Sequence, residues 1–231
     1  MHPMKVLNAG EVNLVSYYPQ DNPELAIVNS ARISFRRKSE ELSERDIGLL
    51  RFLMRERHGT PFEMVDFTFH VKCPIFVARE WFRHRIASYN ELSLRYTKLD
   101  NPEFYIPETN AIRTQVGKPG AYYFESIEDS DILKEALEII NNINIRSKKA
   151  YERLIDMGVA KELARIVLPL GIYTEFIFKV NLRSLLNFLS LRNSSHALRE
   201  IRLYAMEIEN LITPIIPNVM KFFNEFDRRS P

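Results

Sequence analysis

Met64-Val65-Asp66-Phe67-Thr68-Phe69-His70-Val71-Lys72 alternates without interruption. Val65, Phe67, Phe69 and Val71 share one side, while Asp66, Thr68 and His70 share the other. A period of two with one apolar side predicts a strand that buries one face and leaves the other wet. Ile172 to Val180 repeats the pattern through Ile172, Thr174, Phe176, Phe178 and Val180. Around these two runs the spacing is helical. Ser43 is a plausible N-cap for a helix from Glu44 to about Arg57, with Ile47, Leu50, Leu53 and Met54 on its apolar stripe and Gly59 as its stop. Asp129 to Met157 carries Ile132, Leu133, Ala136, Ile139, Ile140 and Ile143 at helical spacing, and Gly158 ends it.

Shorter helices are predicted from Pro23 through Ala31, from Lys161 to Leu168 before Pro169, from Asn181 to Leu191 and from Ser195 to Thr213, with an amphipathic stretch from Pro217. Lys5 to Tyr17 reads as a further strand, and Pro74 as the first residue of a helix reaching about Arg85. Residues 86–107 read as irregular and Gly117–Gly120 as a loop. Few strands among long helices make the class α+β, with long helices packed on a small, mostly antiparallel sheet. No repeat or composition shift divides residues 1–231, so a single domain is expected.

Composition excludes several function classes. Of 231 residues, 45% are hydrophobic, and 15 Phe and 10 Tyr supply ample surface for a core. Lysine plus arginine (32) against Asp plus Glu (30) leaves +2, too little to coat nucleic acid through bulk charge. No apolar run is long enough to span a membrane, and Met1 to Val15 lacks the apolar core of a signal peptide, so a cytoplasmic protein is expected. One cysteine, Cys73, allows no internal disulfide and no CxxC site; beside Pro74 it reads as a small apolar residue rather than a nucleophile. The histidines at 2, 58, 70, 84 and 196 do not cluster as metal ligands, so no metal is expected, and GxGxxG, P-loop, HExxH and GxSxG are absent.

The chemistry concentrates in Arg83-His84-Arg85-Ile86-Ala87-Ser88-Tyr89-Asn90-Glu91-Leu92-Ser93-Leu94-Arg95-Tyr96. A basic helix end followed by a polar loop accounts for Arg83 and Arg85 but not for the crowd of donors after Ile86. Guanidinium forks bind phosphate bidentately and serine hydroxyls add donors, so the stretch also reads as an anion-recognition loop. A non-catalytic nucleotide or RNA-binding module is an alternative, with Trp81, Tyr89 and Tyr96 as stacking groups.

This stretch fits the pattern RHRxxSxNExSxRY and resembles the signature of the flavin-dependent thymidylate synthases. His58-Gly59-Thr60-Pro61-Phe62-Glu63, Ala164 to Pro169, Asn181 to Leu185, and Leu191-Arg192 with Ser195-His196-Ala197 resemble that family's other segments. The resemblance implies a homotetramer in which dUMP and FAD meet at subunit interfaces. The implied reaction is reductive methylation of dUMP to dTMP. Methylenetetrahydrofolate gives the carbon, NADPH reduces the flavin, and the flavin hydride completes the methyl group without a cysteine nucleophile. A nucleotide-dependent flavoprotein with a different reduction is the intermediate alternative.

Residue by residue, the resemblance implies that Glu80, Arg83, Glu91, Leu92, Ser93, Leu94, Arg95 and Arg192 face the substrate, joined by Arg165 from a partner subunit. Arg192 is the implied catalytic residue beside the uracil ring, where a fixed guanidinium stabilises the charge that builds on the pyrimidine. His58, Thr60, Arg83, His84, Arg85, Asn90, Glu91, Asn181, Arg183, Asn187 and His196 are the implied FAD contacts. Asn181 also suits a helix N-cap, and Asn187 sits in an apolar helix where a buried amide needs a partner. His196 would fall one turn beyond Arg192 if the helix runs on through Asn193. Glu80 departs from the family's glutamine. A carboxylate there repels a phosphate unless Arg79 or Arg83 neutralises it.

Overall fold

The structure is a computed structural model that describes residues 3–119 and 121–231. Met1, His2 and Gly120, one end of the expected loop at Gly117–Gly120, lie outside the described residues. The alternating stretch is a strand, and it sits at the centre of a five-stranded sheet. β1 (Met4–Val6), β2 (Gly10–Tyr18), β3 (Asp66–Pro74), β4 (Ser88–Glu91) and a last strand at Tyr173–Asn181 make up this sheet. The last strand lies between β3 and β4, so the order runs β1, β2, β3, Tyr173–Asn181, β4, and every pairing is antiparallel. Phe69 pairs with Phe178 across the centre, as alternation on both strands requires.

Eight helices accompany the sheet among the described residues: α1 (Pro23–Arg32), α2 (Glu44–Arg55), α3 (Ile75–Trp81), α4 (Ser130–Asp156), α5 (Lys161–Ala164), α6 (Leu182–Arg192), α7 (Arg199–Ile212) and α8 (Pro217–Glu225). Phe67, Phe69, Val71, Phe176 and Phe178 turn inward, and α3, α6 and α7 cover them. Trp81 is the hinge of this core. Its ring lies 4.9 Å from Phe188, 5.4 Å from Phe176, 5.7 Å from Phe178 and 5.9 Å from Tyr204. The capping box at Ser43 is present, with Asp46 as its carboxylate partner.

Several expectations change. The strand expected over Lys5–Tyr17 is broken into β1 and β2 by a turn in which Leu7 takes a left-handed φ of 58°. Gly10 reopens the strand because a Cβ there would collide with the Tyr204 hydroxyl, which donates to the Lys72 carbonyl at 2.7 Å. Pro74 ends β3 and caps α3 rather than starting it, and α3 stops at Trp81, short of Arg85. The chain turns there because Ser88–Glu91 takes the free edge of the Tyr173–Asn181 strand, so 86–107 is not wholly irregular. Gly117 belongs to the tip of a two-stranded hairpin, β5 (Arg113–Lys118) and β6 (Ala121–Ser126), which makes Tyr173–Asn181 the seventh strand, β7. The Lys161–Leu168 helix is α5 followed by a 3-10 turn at Arg165–Val167, and α7 starts at Arg199 rather than Ser195. The long helix α4 does not pack on the sheet: Ile132, Ile139 and Ile143 of its stripe are exposed within one chain.

Phe188 fills the space between Trp81 and Phe178 and is fully buried. Phe188→Ala is expected to cost about 3–5 kcal/mol of folding stability. The measurement is the denaturant midpoint followed by fluorescence of Trp81, the chain's one tryptophan.

Candidate functional site

Where α3 ends, the aromatic core holds the motif in place. The Tyr89 hydroxyl donates to the His84 carbonyl at 2.8 Å, and its ring stacks on Phe178 at 5.3 Å. Burial pushes that hydroxyl well above the usual phenol range, so it stays a donor. This staple ties Arg83-His84-Arg85 against the sheet, at the mouth of a cleft of about 720 Å³. Arg57, Arg83, Arg85, Arg183 and Arg192 line the cleft together with His84, Ser184 and Asn187, and Leu191 adds exposed apolar surface above the buried Phe178 and Val180. The volume lies within the range of small-molecule sites.

The arginines divide into two kinds. Arg183 pairs with Glu63 at 2.6 Å, and its Nε donates to the Pro231 carbonyl at 2.9 Å. Arg192 is clamped: Nη1 donates to the Glu80 carboxylate at 2.8 Å, Nη2 to the Glu80 carbonyl at 3.0 Å, and Nε to His84 Nε2 at 2.9 Å. Arg57, Arg83 and Arg85 have no ion-pair partner among the described residues. Arg192, then, neutralises Glu80, not Arg79 or Arg83. Gly59 permits the packing beneath Arg183, because a Cβ there would stand 2.4 Å from the Arg183 Nε. His84 is held at about 4, first by burial and then by the Arg192 charge, so near neutral pH its Nε2 is a lone-pair acceptor.

The structure gathers some sequence-assigned residues and separates others. Arg83, His84, Arg85, Arg183, Asn187 and Arg192 share the cleft, and Glu80 touches it through Arg192. Asn187 is exposed on the cleft wall, so the penalty for a buried amide does not arise. Asn181 caps α6 by accepting from the Ser184 N–H at 2.9 Å, and it also lines a neighbouring hollow with Asp66, Ser88 and Lys179. Asn90 is an exposed residue of β4. Glu91 accepts from the Thr174 hydroxyl at 2.7 Å.

Leu92, Ser93, Leu94 and Arg95 run away from the cleft. Arg95 pairs with Glu162 at 3.1 Å, and Arg165 donates to the Glu162 carbonyl, also at 3.1 Å. Thr60 opens a 3-10 turn at Thr60–Met64, and His58 packs edge-on to Phe52 at 5.6 Å. His196 is not on α6, which ends at Arg192 with Asn193 as its cap; it lines a separate groove with Tyr122, Tyr123 and Phe124 of the hairpin. Arg57 was missed in the sequence, where it reads as a basic helix end. Among the described residues no group of three or more His, Cys, Asp or Glu is placed to hold a metal, and no helix is long and apolar enough to cross a membrane.

The family described as thymidylate synthase complementing protein matches residues 13–218. The chain is 45% identical to a flavin-dependent thymidylate synthase of Thermosipho africanus over 222 residues, covering 96% of this chain and 94% of that protein. It is 43% identical to the Tropheryma whipplei (strain TW08/27) protein of the same name over 231 residues, covering 95% and 94%. Among solved structures it is similar to the UMP/dUMP methylase PolB of Streptomyces cacaoi bound with 5-bromo-dUMP. That similarity has a TM-score of 0.86 and 34% identity, and it covers 99% of this chain and 100% of that one.

The depressed His84 value has a definite sign. The unfolded histidine binds a proton below its ordinary pKa of 6.5 and the folded one only near 4, so this group's contribution to stability is full above about 6.5 and drains away as pH falls toward 4. A ring-proton NMR titration is expected to show His84 neutral at pH 5. In Arg192→Met, which removes the second cause of the shift, its titration is expected to move upward toward 6.5.

Proposed function

This chain belongs to the thymidylate synthase complementing protein family, the flavin-dependent thymidylate synthases, and we propose that it methylates dUMP to dTMP in the arginine cleft. In this reading methylenetetrahydrofolate gives the carbon and NADPH is the reductant. The donor set fits a flavin dinucleotide. Arg57, Arg83 and Arg85 offer unpaired guanidinium forks to its phosphates, Ser184 and Asn187 offer neutral hydrogen bonds, and Leu191 offers apolar surface. When bound and reduced, that group supplies the hydride that completes the methyl group.

The clamp on Arg192 carries the reading. A guanidinium has five N–H donors, and Glu80 and His84 take three of them. The two that remain belong to a cation whose charge Glu80 already balances and whose position is fixed from three directions. Such a group suits a neutral carbonyl better than a phosphate, which the unpaired arginines attract more strongly. As negative charge builds on the pyrimidine, Arg192 stabilises it without having to reorganise. His84 holds the Nε of Arg192 and gives no proton near neutral pH. Cys73 is fully buried, and burial, followed by the Glu91 charge, holds its thiol well above the ordinary range, so it serves as no nucleophile.

Ser93, Arg95 and Arg165 form a second polar surface away from the Arg192 cleft of their own chain. We assign them to the nucleotide phosphate of a neighbouring site in a homotetramer. The uncovered stripe Ile132, Ile139 and Ile143 on α4 supports such an assembly. A ribonucleotide reading is kept beside the deoxynucleotide one, because the neighbour PolB is described as acting on both UMP and dUMP.

The test is turnover of dUMP and of UMP, assayed separately with methylenetetrahydrofolate and NADPH, with the flavin absorbance of the purified protein recorded. Arg192→Ala is expected to lose about 100- to 1,000-fold in kcat, equivalent to ~3–4 kcal/mol, with the flavin absorbance retained. Cys73→Ala is expected to keep its turnover, and loss of activity in a folded Cys73→Ala protein would point to thiol-adduct chemistry instead.

A further inference from the structure

A second cationic hollow, of about 300 Å³, lies at the far end of α2 from the reaction cleft, and the proposed reaction as derived above does not use it. Ala31 and Leu49, half-buried, and the exposed Phe35 give it apolar lining, and Arg32, Arg37 and Arg45 complete it. Arg32 is committed to Asp46. Burial alone would raise the Asp46 carboxyl, but the Ser43 and Ser39 hydrogen bonds and the Arg32 charge outweigh it and hold the group below the usual range, as a lasting anion. Arg37 and Arg45 have no ion-pair partner among the described residues. The nearby acids Glu40, Glu41 and Glu44 are solvent-exposed and pair with neither.

The loop that carries Arg37 is anchored. Asn29 donates to the Ser39 carbonyl at 3.0 Å and accepts from the Ser39 N–H at 2.7 Å, and the Ser39 hydroxyl reaches Asp46 at 3.0 Å. Phe35 nevertheless stands 76% exposed over the hollow. From this hollow an apolar strip runs down the outer face of α2. Arg45, Leu49 and Phe52 are spaced i, i+4, i+7, so they share that face. Phe52 is 42% exposed and meets His58 edge-on, and the neighbouring Arg57 lines the reaction cleft. Arg45 and Phe52 are about 10 Å apart along the axis.

We propose that Arg37 and Arg45 bind the glutamate carboxylates of the folate carbon donor, with the Leu49–Phe52 face of α2 as the bed for its aminobenzoyl group. This rests on the thymidylate synthase reading above. The order of chemistry along the strip selects this ligand class. A folate carries its heterocycle at one end, an aromatic ring in the middle and its carboxylates at the other end. The strip offers the reaction cleft, then apolar surface, then unpaired cations. A dinucleotide reductant carries phosphates in its middle, where the strip offers Leu49 and Phe52, and the cation over Phe52, Arg55, is already paired with Glu56 at 2.7 Å. Added γ-linked glutamates extend the tail by further carboxylates, and the exposed cations Arg36 and Lys38 flank Arg37 to receive them.

The test uses the full-length holoenzyme and steady-state kinetics with the monoglutamate and triglutamate forms of methylenetetrahydrofolate. Arg37→Ala/Arg45→Ala is expected to raise KM for the monoglutamate about tenfold and to abolish the preference for the triglutamate. KM for dUMP, KM for NADPH and flavin content are expected to stay unchanged, and Arg37→Lys/Arg45→Lys to recover most of the loss. Unchanged folate KM in an active double alanine variant overturns the site, and so does a rise confined to NADPH, which would make it a reductant phosphate site. A wild-type protein that binds flavin but makes no thymidylate with this donor overturns the enzymatic reading as well, so the two failures are told apart.

Discussion

Crowding of like charge around one cleft is the constraint that organises this molecule. Five guanidinium groups and a histidine face a common volume, and the low-dielectric core beneath it screens them less than bulk solvent would. The fold meets the repulsion in two ways. Glu63 and Glu80 each neutralise one arginine, and burial keeps His84 uncharged. The turn that carries Arg83 and Arg85 is held in place, because Tyr89 staples its backbone to an aromatic cluster that includes Phe178. That cluster is the alternation of β3 and β7 made solid. The apolar pattern of two strands thus sets the position of charges that lie outside both.

The same dependence explains what could be read in advance. β3 and β7 were legible because each buries one side only, and α2 and α6 because their stripes and caps agree. β4 was not, since four mostly exposed residues on a sheet edge leave no burial pattern. The hairpin was missed for the same reason: all six residues of β6, including Tyr122, Tyr123 and Phe124, are exposed, so nothing alternates. In the site, contiguous Arg83-His84-Arg85 announced itself. The bond from Arg192 to Glu80 crosses 112 positions of sequence, and no local signal foretells it. Arg57 hid as an ordinary basic helix end, and the usable clue was Gly59, needed because Arg183 packs on it. His196 falls one turn beyond Arg192 only if α6 runs on through Asn193; the helix ends there instead, and the Asn193 side chain donates to Glu209 at 2.8 Å.

The sequence casts Glu80 as a hazard. A lone carboxylate beside phosphate-binding arginines would oppose an anionic ligand. Paired with Arg192 it does something different: it removes net charge from one guanidinium and leaves three others in full. Charge compensation therefore sorts the arginines by task. In the proposed reaction the uncompensated ones would attract dianions over a distance, and the compensated one would be reserved for a carbonyl oxygen that becomes anionic only during reaction. A glutamine at position 80 would hold Arg192 through its amide oxygen but would leave its charge uncompensated, so that Arg192 competed for the phosphates. On the proposed reaction, the Glu80 carboxylate would make the guanidinium selective, at the cost of depending on a neutral His84 to hold its third side.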